Sequence, residues 1–143
     1  MASGYLLDTN VISETRRLRA DVGVIAFLAA ADATSLFLSV LTLGELRKGV
    51  AAKGRTDPGA AASLGAWVDG IETMFADRVL PVDVATARCW GELPATRSLP
   101  VIDTIIAATA ITYGLTLATR NTRDVGSTGV ALVDPWQAHC RTP

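Results

Sequence analysis

With half of its 143 residues hydrophobic and only 19% charged, the chain has the apolar material for a real core and too little charge for disorder. A mean hydropathy of +0.34 raises the question of a membrane span, but the longest uncharged runs, 33–44 and 104–119, fall short of the ~20 residues that a span requires. The net charge of −1 excludes a protein that holds nucleic acid by bulk electrostatics, so any polyanion must be gripped by local positive charge. Cys89 and Cys140 are too few for a disulfide framework and too isolated for a zinc site. The N-terminus has no basic segment leading into an apolar stretch, so no signal peptide is expected and a reducing cytoplasm is the expected setting.

In chain order, Tyr5 to Leu7 is an apolar run typical of a short strand buried on both faces, and Asp8, Thr9 and Asn10 follow where such a strand emerges. A short helix is expected from about Val11 towards Arg17 and a second helical stretch over 22–31. Leu36 to Ser39 is β-rich, and from Val40 the spacing turns helical, with Leu43, Leu46 and Val50 on one face and Glu45 and Lys48 on another. The Gly- and Pro-bearing stretch 53–59 reads as a loop between helices. An amphipathic helix follows over 60–75, its apolar face made of Leu64, Trp67, Val68, Ile71, Met74 and Phe75. Val79 to Val82 is a short strand whose Pro81 suggests a sheet edge. Asp83 caps a helix running to about Leu93; Pro100 opens a strongly apolar helix over 101–113, which Gly114 stops. Strands over 115–118 and 131–133 complete the pattern. Strands alternating with helices predict a single three-layer α/β domain over 1–143, with a mainly parallel central sheet flanked by helices.

Four acids fall at comparable junctions of this map. Asp8 ends the first strand, Glu45 lies in the helix leaving the second, Asp103 is in the first turn after Pro100, and Asp124 lies just beyond a later strand. Sites in open α/β sheets sit where strands end, so all four could share one edge. Close carboxylates coexist at neutral pH only by binding protons or a cation, and oxygen ligands suit Mg2+ or Mn2+. Each acid also has a simpler role: Asp8 or Asn10 as a helix cap, Asp103 at a favourable helix N-terminus, Glu45 paired with Lys48, Asp124 in a turn. Their conjunction is what points to a site.

The stretches Asp8-Thr9-Asn10-Val11-Ile12-Ser13, Ser39-Val40-Leu41-Thr42-Leu43-Gly44-Glu45-Leu46, Asp103 ahead of Ala107-Ala108-Thr109-Ala110, and Leu117-Ala118-Thr119-Arg120-Asn121-Thr122-Arg123-Asp124 resemble, in that order, the PIN-domain ribonucleases. Among these the chain is similar to the VapC-type toxins of bacterial toxin–antitoxin pairs, close to the FitB-like branch. Gly129-Val130 and Pro135-Trp136 resemble the family's closing segment, so the likeness covers essentially the whole chain. It implies a PIN-like domain in which Asp8, Glu45, Asp103 and Asp124 bind Mg2+ or Mn2+ and cut RNA, with Thr9, Asn10, Thr119 and Asn121 at supporting polar positions. Two positions depart from the pattern: Val125 stands where relatives usually carry an aromatic, and Asp134 where an asparagine is common before Pro135.

On that resemblance the expected chemistry is in-line attack by water, with Asp8, Asp103 and Asp124 as chief metal ligands and a 5′-phosphate product. Glu45 is expected to hold a second ion, accept a proton, or do both. The only histidine, His139, sits beside Cys140 near the C-terminus and reads as incidental. Arg120 and Arg123, beside the last acid, are the candidates for RNA backbone contact. Arg16, Arg17, Arg19, Arg47, Lys48, Lys53 and Arg55 read mainly as solvated helix faces, Trp67 and Trp90 as core, and Trp136 as packing for the C-terminal segment. The resemblance further implies a cognate VapB-like antitoxin lying in an apolar groove, a homodimer and a higher toxin–antitoxin assembly. Residues 22–31 and 60–75 fit such surfaces, or an interior, equally well.

Three rival readings fit less well or differ in class. A haloacid-dehalogenase-like hydrolase requires a second acid two residues after the first, where this chain has Asn10; a receiver domain requires a lysine after a late strand, and Leu117-Ala118-Thr119-Arg120 has none. A non-catalytic PIN-domain binder, acting through its antitoxin in operator DNA binding and autoregulation, differs in class, and the retained acids argue against it.

Overall fold

The computed structural model describes residues 4–94 and 99–140, with side chains described as far as Gln137. Five strands, β1 (Tyr5–Leu7), β2 (Leu36–Ser39), β3 (Val79–Leu80), β4 (Thr116–Ala118) and β5 (Leu132–Val133), form one sheet in the order β3-β2-β1-β4-β5. All of its pairings are parallel, and the central β1 sets Tyr5 beside Leu36 on one flank and Thr116 on the other. Around the sheet lie α1 (Thr9–Glu14), α2 (Val22–Ala30), α3 (Val40–Gly54), α4 (Pro58–Met74), α5 (Val84–Gly91), α6 (Val101–Thr112) and α7 (Thr122–Val125).

The three layers follow from the period of two in the strands. Successive side chains point to opposite faces, so Leu6 packs with Ile106, Ala107, Ala110 and Leu117 on one side. Its neighbour Leu7 packs with Val11, Ile12, Val24, Val68 and Ile71 on the other. Both leucines are 1% exposed or less, and each such burial stabilises the fold by ~1.5–3 kcal/mol. β1 is apolar throughout because both its faces are covered.

Side chains close the helix ends as their residue types suggest. Ser39 accepts from Leu41 N at 3.0 Å, Asp57 from Ala60 N at 3.1 Å and Asp83 from Thr86 N at 2.8 Å. Gly114 takes a left-handed φ of 66° where α6 stops, and Leu115 N bonds back to Ala110 O at 2.8 Å. β3, which ends just before Pro81, is an edge strand as expected.

Several expectations are corrected. The stretch 53–59 is mostly helical: α3 runs through Lys53 and Gly54, and Asp57 with Pro58 as first helical residue starts α4, leaving 55–57 as the connection. The helix expected as far as Arg17 starts earlier, at Thr9, and ends at Glu14. The four-residue α7 and the 3-10 turns Ala33–Ser35, Gly126–Thr128 and Pro135–Cys140 are too short to print a helical period on the sequence. Met74, placed on the apolar face of its helix, is 63% exposed, and Trp90, read as core, is 41% exposed. The Trp90 indole donates Nε1–H to Thr104 Oγ1 at 2.9 Å, which holds the ring along the flank of α6 instead of inside. Cys89 is a free thiol; the side chains of His139 and Cys140 lie outside the described residues. Among the described residues no helix is long and apolar enough to cross a membrane.

Gly4, just ahead of β1, shows how tightly the sheet is approached. A Cβ at this position would lie 2.7 Å from Ser35 O, 2.9 Å from Leu115 Cδ2 and 3.0 Å from Phe37 Cε2. Gly4→Ala is therefore expected to destabilise the fold by ~1–3 kcal/mol, read as a lower urea midpoint at unchanged slope; an unchanged midpoint would contradict this packing.

Candidate functional site

The chain builds β2 and β3 to one side of β1, then returns to place β4 and β5 on the other, so the strand order reverses between β1 and β4. Parallel α/β sheets hold their sites at such a reversal, outside the strand C-termini. Asp8 ends β1 and Thr119 ends β4 at this point, and Asp8 N bonds to Ala118 O at 2.9 Å.

Asp8 is buried, only 8% exposed. Its Oδ1 accepts from Thr9 N at 2.8 Å, and its Oδ2 accepts from the Thr119 hydroxyl, also at 2.8 Å. The Thr119 Oγ1 in turn accepts from Asn10 Nδ2 at 3.3 Å and from Asn121 N at 3.0 Å, while Asn10 Oδ1 accepts from Arg120 N at 3.4 Å. The network clamps the ends of β1 and β4 and fixes the orientation of the Asp8 carboxylate. Asp8 thus caps α1 through Thr9 N and, through its other oxygen, joins the Thr119 network; the cap role and the place in the candidate site belong to one residue.

Glu45 lies in the second turn of α3, and its Oε1 accepts from Thr9 Oγ1 at 2.6 Å. The Thr9 hydroxyl also lies 3.3 Å from the hydroxyl of the fully buried Thr42. Having one proton, Thr9 gives it to Glu45 and leaves Thr42 to donate in return. Thr42 joins this network although the sequence does not single it out; its only signal is a hydroxyl one turn before Glu45 on the same helix. Asp103 and Asp124 occupy the first turns of α6 and α7, where helix N-termini favour negative charge.

Asp103 and Asp8 feel the charge of their neighbours. Asp103 is raised above its ordinary 3.8, first by partial burial and then by the charges of Asp8, Glu45 and Asp124. Asp8 is also raised: burial and the charge of Glu45 outweigh the opposing hydrogen bonds from Thr119 and Thr9. Among the described residues, no three His, Cys, Asp or Glu side chains stand close enough together to hold a metal ion as they are. The structure thus gathers the carboxylates into one electrostatic neighbourhood without drawing them to ligating distance.

The remaining candidates sort clearly. Asn121 contributes its backbone N–H to the network but no side-chain cap. Val125 is buried with Leu6 and Ile106, anchoring the helix that carries Asp124 by aliphatic packing. Arg120 lies over the Trp136 ring, 5.1 Å from its centroid, and Arg123 is exposed on α7. Arg47, read as part of a solvated helix face, instead ties α3 to α4 through Asp69 at 2.6 Å and Glu72 at 2.9 Å, at a half-exposed position. Away from the acids, an apolar hollow of about 370 Å³ opens among Ile12, Leu28, Leu36, Trp67, Ile71 and Phe75, beside an α2 whose Val22 and Ile25 are exposed.

The family model of the PIN domain matches residues 5–125. The plasmid stability protein StbB of Pseudomonas syringae is 34% identical, over 93% of this chain and 99% of its own length. The VapC ribonuclease Y4jK of Sinorhizobium fredii is also 34% identical, over 92% of this chain and 97% of its own. The crystal structure of FitAcB from Neisseria gonorrhoeae superposes with a TM-score of 0.85 at 34% identity, covering 92% of this chain and 98% of that one.

The raised carboxyls fix a pH dependence. The folded protein holds their protons more tightly than the unfolded chain does. Their contribution to stability is therefore complete below the ordinary 3.8 and is lost as pH rises through the raised folded values. Asp103→Asn relieves this loss, so in the absence of divalent ions its Tm at pH 7 is expected to exceed that of the parent by a few degrees. The advantage should disappear on acidification, as the parent carboxyl takes up its proton. A variant that melts earlier at pH 7 would contradict the mutual repulsion.

Proposed function

The chain belongs to the PIN-domain family, in its VapC- and FitB-type toxin–antitoxin branch, and on that premise we propose that it is a Mg2+- or Mn2+-dependent endoribonuclease toxin restrained by a cognate antitoxin. The observation that carries this reading is the Asp103 carboxyl, which lies in the combined field of Asp8, Glu45 and Asp124, acids delivered by separate segments to one sheet edge.

The donor set fits a hard divalent cation: it is all oxygen, and the charge that raises Asp103 is the kind that such an ion offsets. Asp8, Asp103 and Asp124 would hold the ion, with Glu45 at the margin. Asp8 and Glu45 are already fixed by Thr119 and Thr9, whereas Asp103 and Asp124 carry no such tie among the described residues and are the ligands free to move inward. When bound, the ion supplies Lewis acidity, making water a better nucleophile and offsetting charge on the scissile phosphate. The chain's own residues do the rest. Thr119 and Thr9 N aim the Asp8 carboxylate, and Asn10 and Asn121 hold Thr119 in place. Glu45 keeps Oε1 on the Thr9 hydroxyl, leaving Oε2 to accept the proton of a water attacking phosphorus in line. The 3′ oxygen departs and is protonated by solvent, giving a 5′-phosphate and a 3′-hydroxyl. Arg120 and Arg123 flank this edge and would meet the RNA backbone.

The apolar hollow and the exposed Val22 and Ile25 of α2 suit the antitoxin. Exposed Val84, Trp90, Val101 and Ile111, on α5 and α6, suit a second copy in a homodimer and the larger toxin–antitoxin assembly. A cytoplasmic setting accords with both.

Expressed without its antitoxin, the chain is expected to generate new 5′-phosphate ends in cellular RNA, and Asp8→Asn or chelation of divalent ions to lower cleavage by at least about a hundredfold. Ends that persist in the variant, or 2′,3′-cyclic phosphate products, would overturn the mechanism. A chain that joins its antitoxin on operator DNA while leaving RNA intact would be a non-catalytic binder.

A further inference from the structure

A second depression adjoins the acids. A cleft of about 210 Å³ lies between α1, α3 and α4, lined by Thr9, Ser13, Arg16, Glu45, Gly49 and Trp67 among others. Glu45 and Gly49 are four residues apart on α3 and so share a face, which puts a position without a side chain immediately beside the acid assigned to the attacking water. A Cβ at Gly49 would meet no atom within 4 Å, so a larger side chain there would project into open space. The opposite wall is aromatic and cationic. The Arg16 guanidinium lies 5.7 Å from the centroid of the Trp67 indole and donates from Nη2 to Ser63 Oγ at 3.3 Å, which steers it over the ring.

We propose that this cleft is a nucleobase subsite. One unpaired base next to the scissile phosphate enters between Gly49 and Trp67, stacks on the guanidinium that lies over the indole, and presents its edge to the Ser13 hydroxyl. Sequence-selective recognition of RNA works on splayed, single-stranded bases stacked on aromatic rings or arginine planes. The cleft offers both surfaces within reach of Glu45. Arg16 also places a cation beside an acidic site, where a phosphate backbone must be drawn in. An antitoxin side chain is the less favoured occupant, because Trp67 also walls the larger, mainly apolar hollow, which is the surface suited to a protein helix. The inference rests on the nuclease reading for the position of the scissile phosphate, and it assigns the cleavage preference to Ser13, Arg16, Gly49 and Trp67.

The test has a binding arm and a cleavage arm. In the first, antitoxin-free chain without divalent ions is irradiated with single-stranded RNA oligonucleotides carrying 4-thiouridine, and the crosslink is mapped by mass spectrometry. In the second, Mg2+ is added to single-stranded oligonucleotides of randomised sequence and the ends are sequenced. The crosslink is expected on Trp67 or its neighbours in the cleft. Gly49→Leu is expected to reduce it about tenfold and to flatten the base preference at one position beside the cut, while the products keep their 5′-phosphate. Arg16→Gln, at an exposed position, is expected to shift both readouts the same way and serves if Gly49→Leu does not fold. Cleavage with unchanged base preference in both variants, or crosslinks only outside the cleft, overturns the subsite and leaves the nuclease standing. A crosslink on Trp67 in a chain that never cuts supports base binding and overturns the nuclease.

Discussion

A carboxylate cannot be buried without something to satisfy its charge, and Asp8 is buried where no basic side chain among the described residues reaches it. What it has instead is one hydroxyl and one backbone amide, neutral donors that orient it without neutralising it. That incomplete compensation is the constraint around which the molecule is arranged. The Thr119 hydroxyl can serve Asp8 only if β4 lies beside β1 in the observed register, with Leu7 opposite Ala118. The site and the central strand pair therefore specify each other. A purely structural Asp8 would be easier to hold with an arginine; here the carboxylate is left short of positive charge.

Parallel topology explains why acids so far apart in sequence converge. Every helix that returns the chain across a parallel sheet begins at the edge where strands end. The first turns of α1, α3, α6 and α7 therefore share one edge, whichever strand precedes them. Asp103 shows the rule best: it follows no adjacent strand, yet it opens the helix that feeds β4, so its carboxyl enters the field of Asp8, Glu45 and Asp124. The helix N-termini add partial positive charge at the same edge, enough to favour carboxylates there but not to cancel several at once.

This convergence is what made the fold and the acids legible in the sequence. The doubly buried β1, the polar residues at its exit, Pro100 at the head of α6 and Gly114 at its end are each dictated by local chemistry, and each is found where that chemistry puts it. The misreadings have equally local causes. Asp57-Pro58 is a strong helix start, but the neighbouring Gly54 and Gly59 mask it, so the pattern suggests a connection where two helices nearly abut. Trp90 sits in an apolar pattern, yet periodicity says nothing of a ring held at the surface by its own N–H. Thr42 carries no signal beyond its spacing from Glu45, because a threonine inside a helix usually bonds its own backbone. Only the approach of α1 to α3 makes it a partner of Thr9. Long-range hydrogen bonds of this kind carry no period, and no single sequence records them.

The short α1 ties the acidic edge to the surfaces around it. Within its six residues and the turn that follows, Thr9 and Asn10 hold the acids and their clamp, Ile12 and Thr15 line the apolar hollow, and Ser13 and Arg16 line the cleft beside Glu45. A helix this short has too few internal hydrogen bonds to hold its own geometry, so its position is set by what packs on each side of it. Val11 and Ile12 fix it to the core, while its polar face depends on Asp8, Glu45 and Thr119. Whatever fills the hollow presses on Ile12, and whatever enters the cleft lies against Ser13, two neighbours on one turn and a half of backbone. A molecule seated in the hollow therefore lies against the same element whose Thr9 bonds Glu45, without having to reach the acids itself.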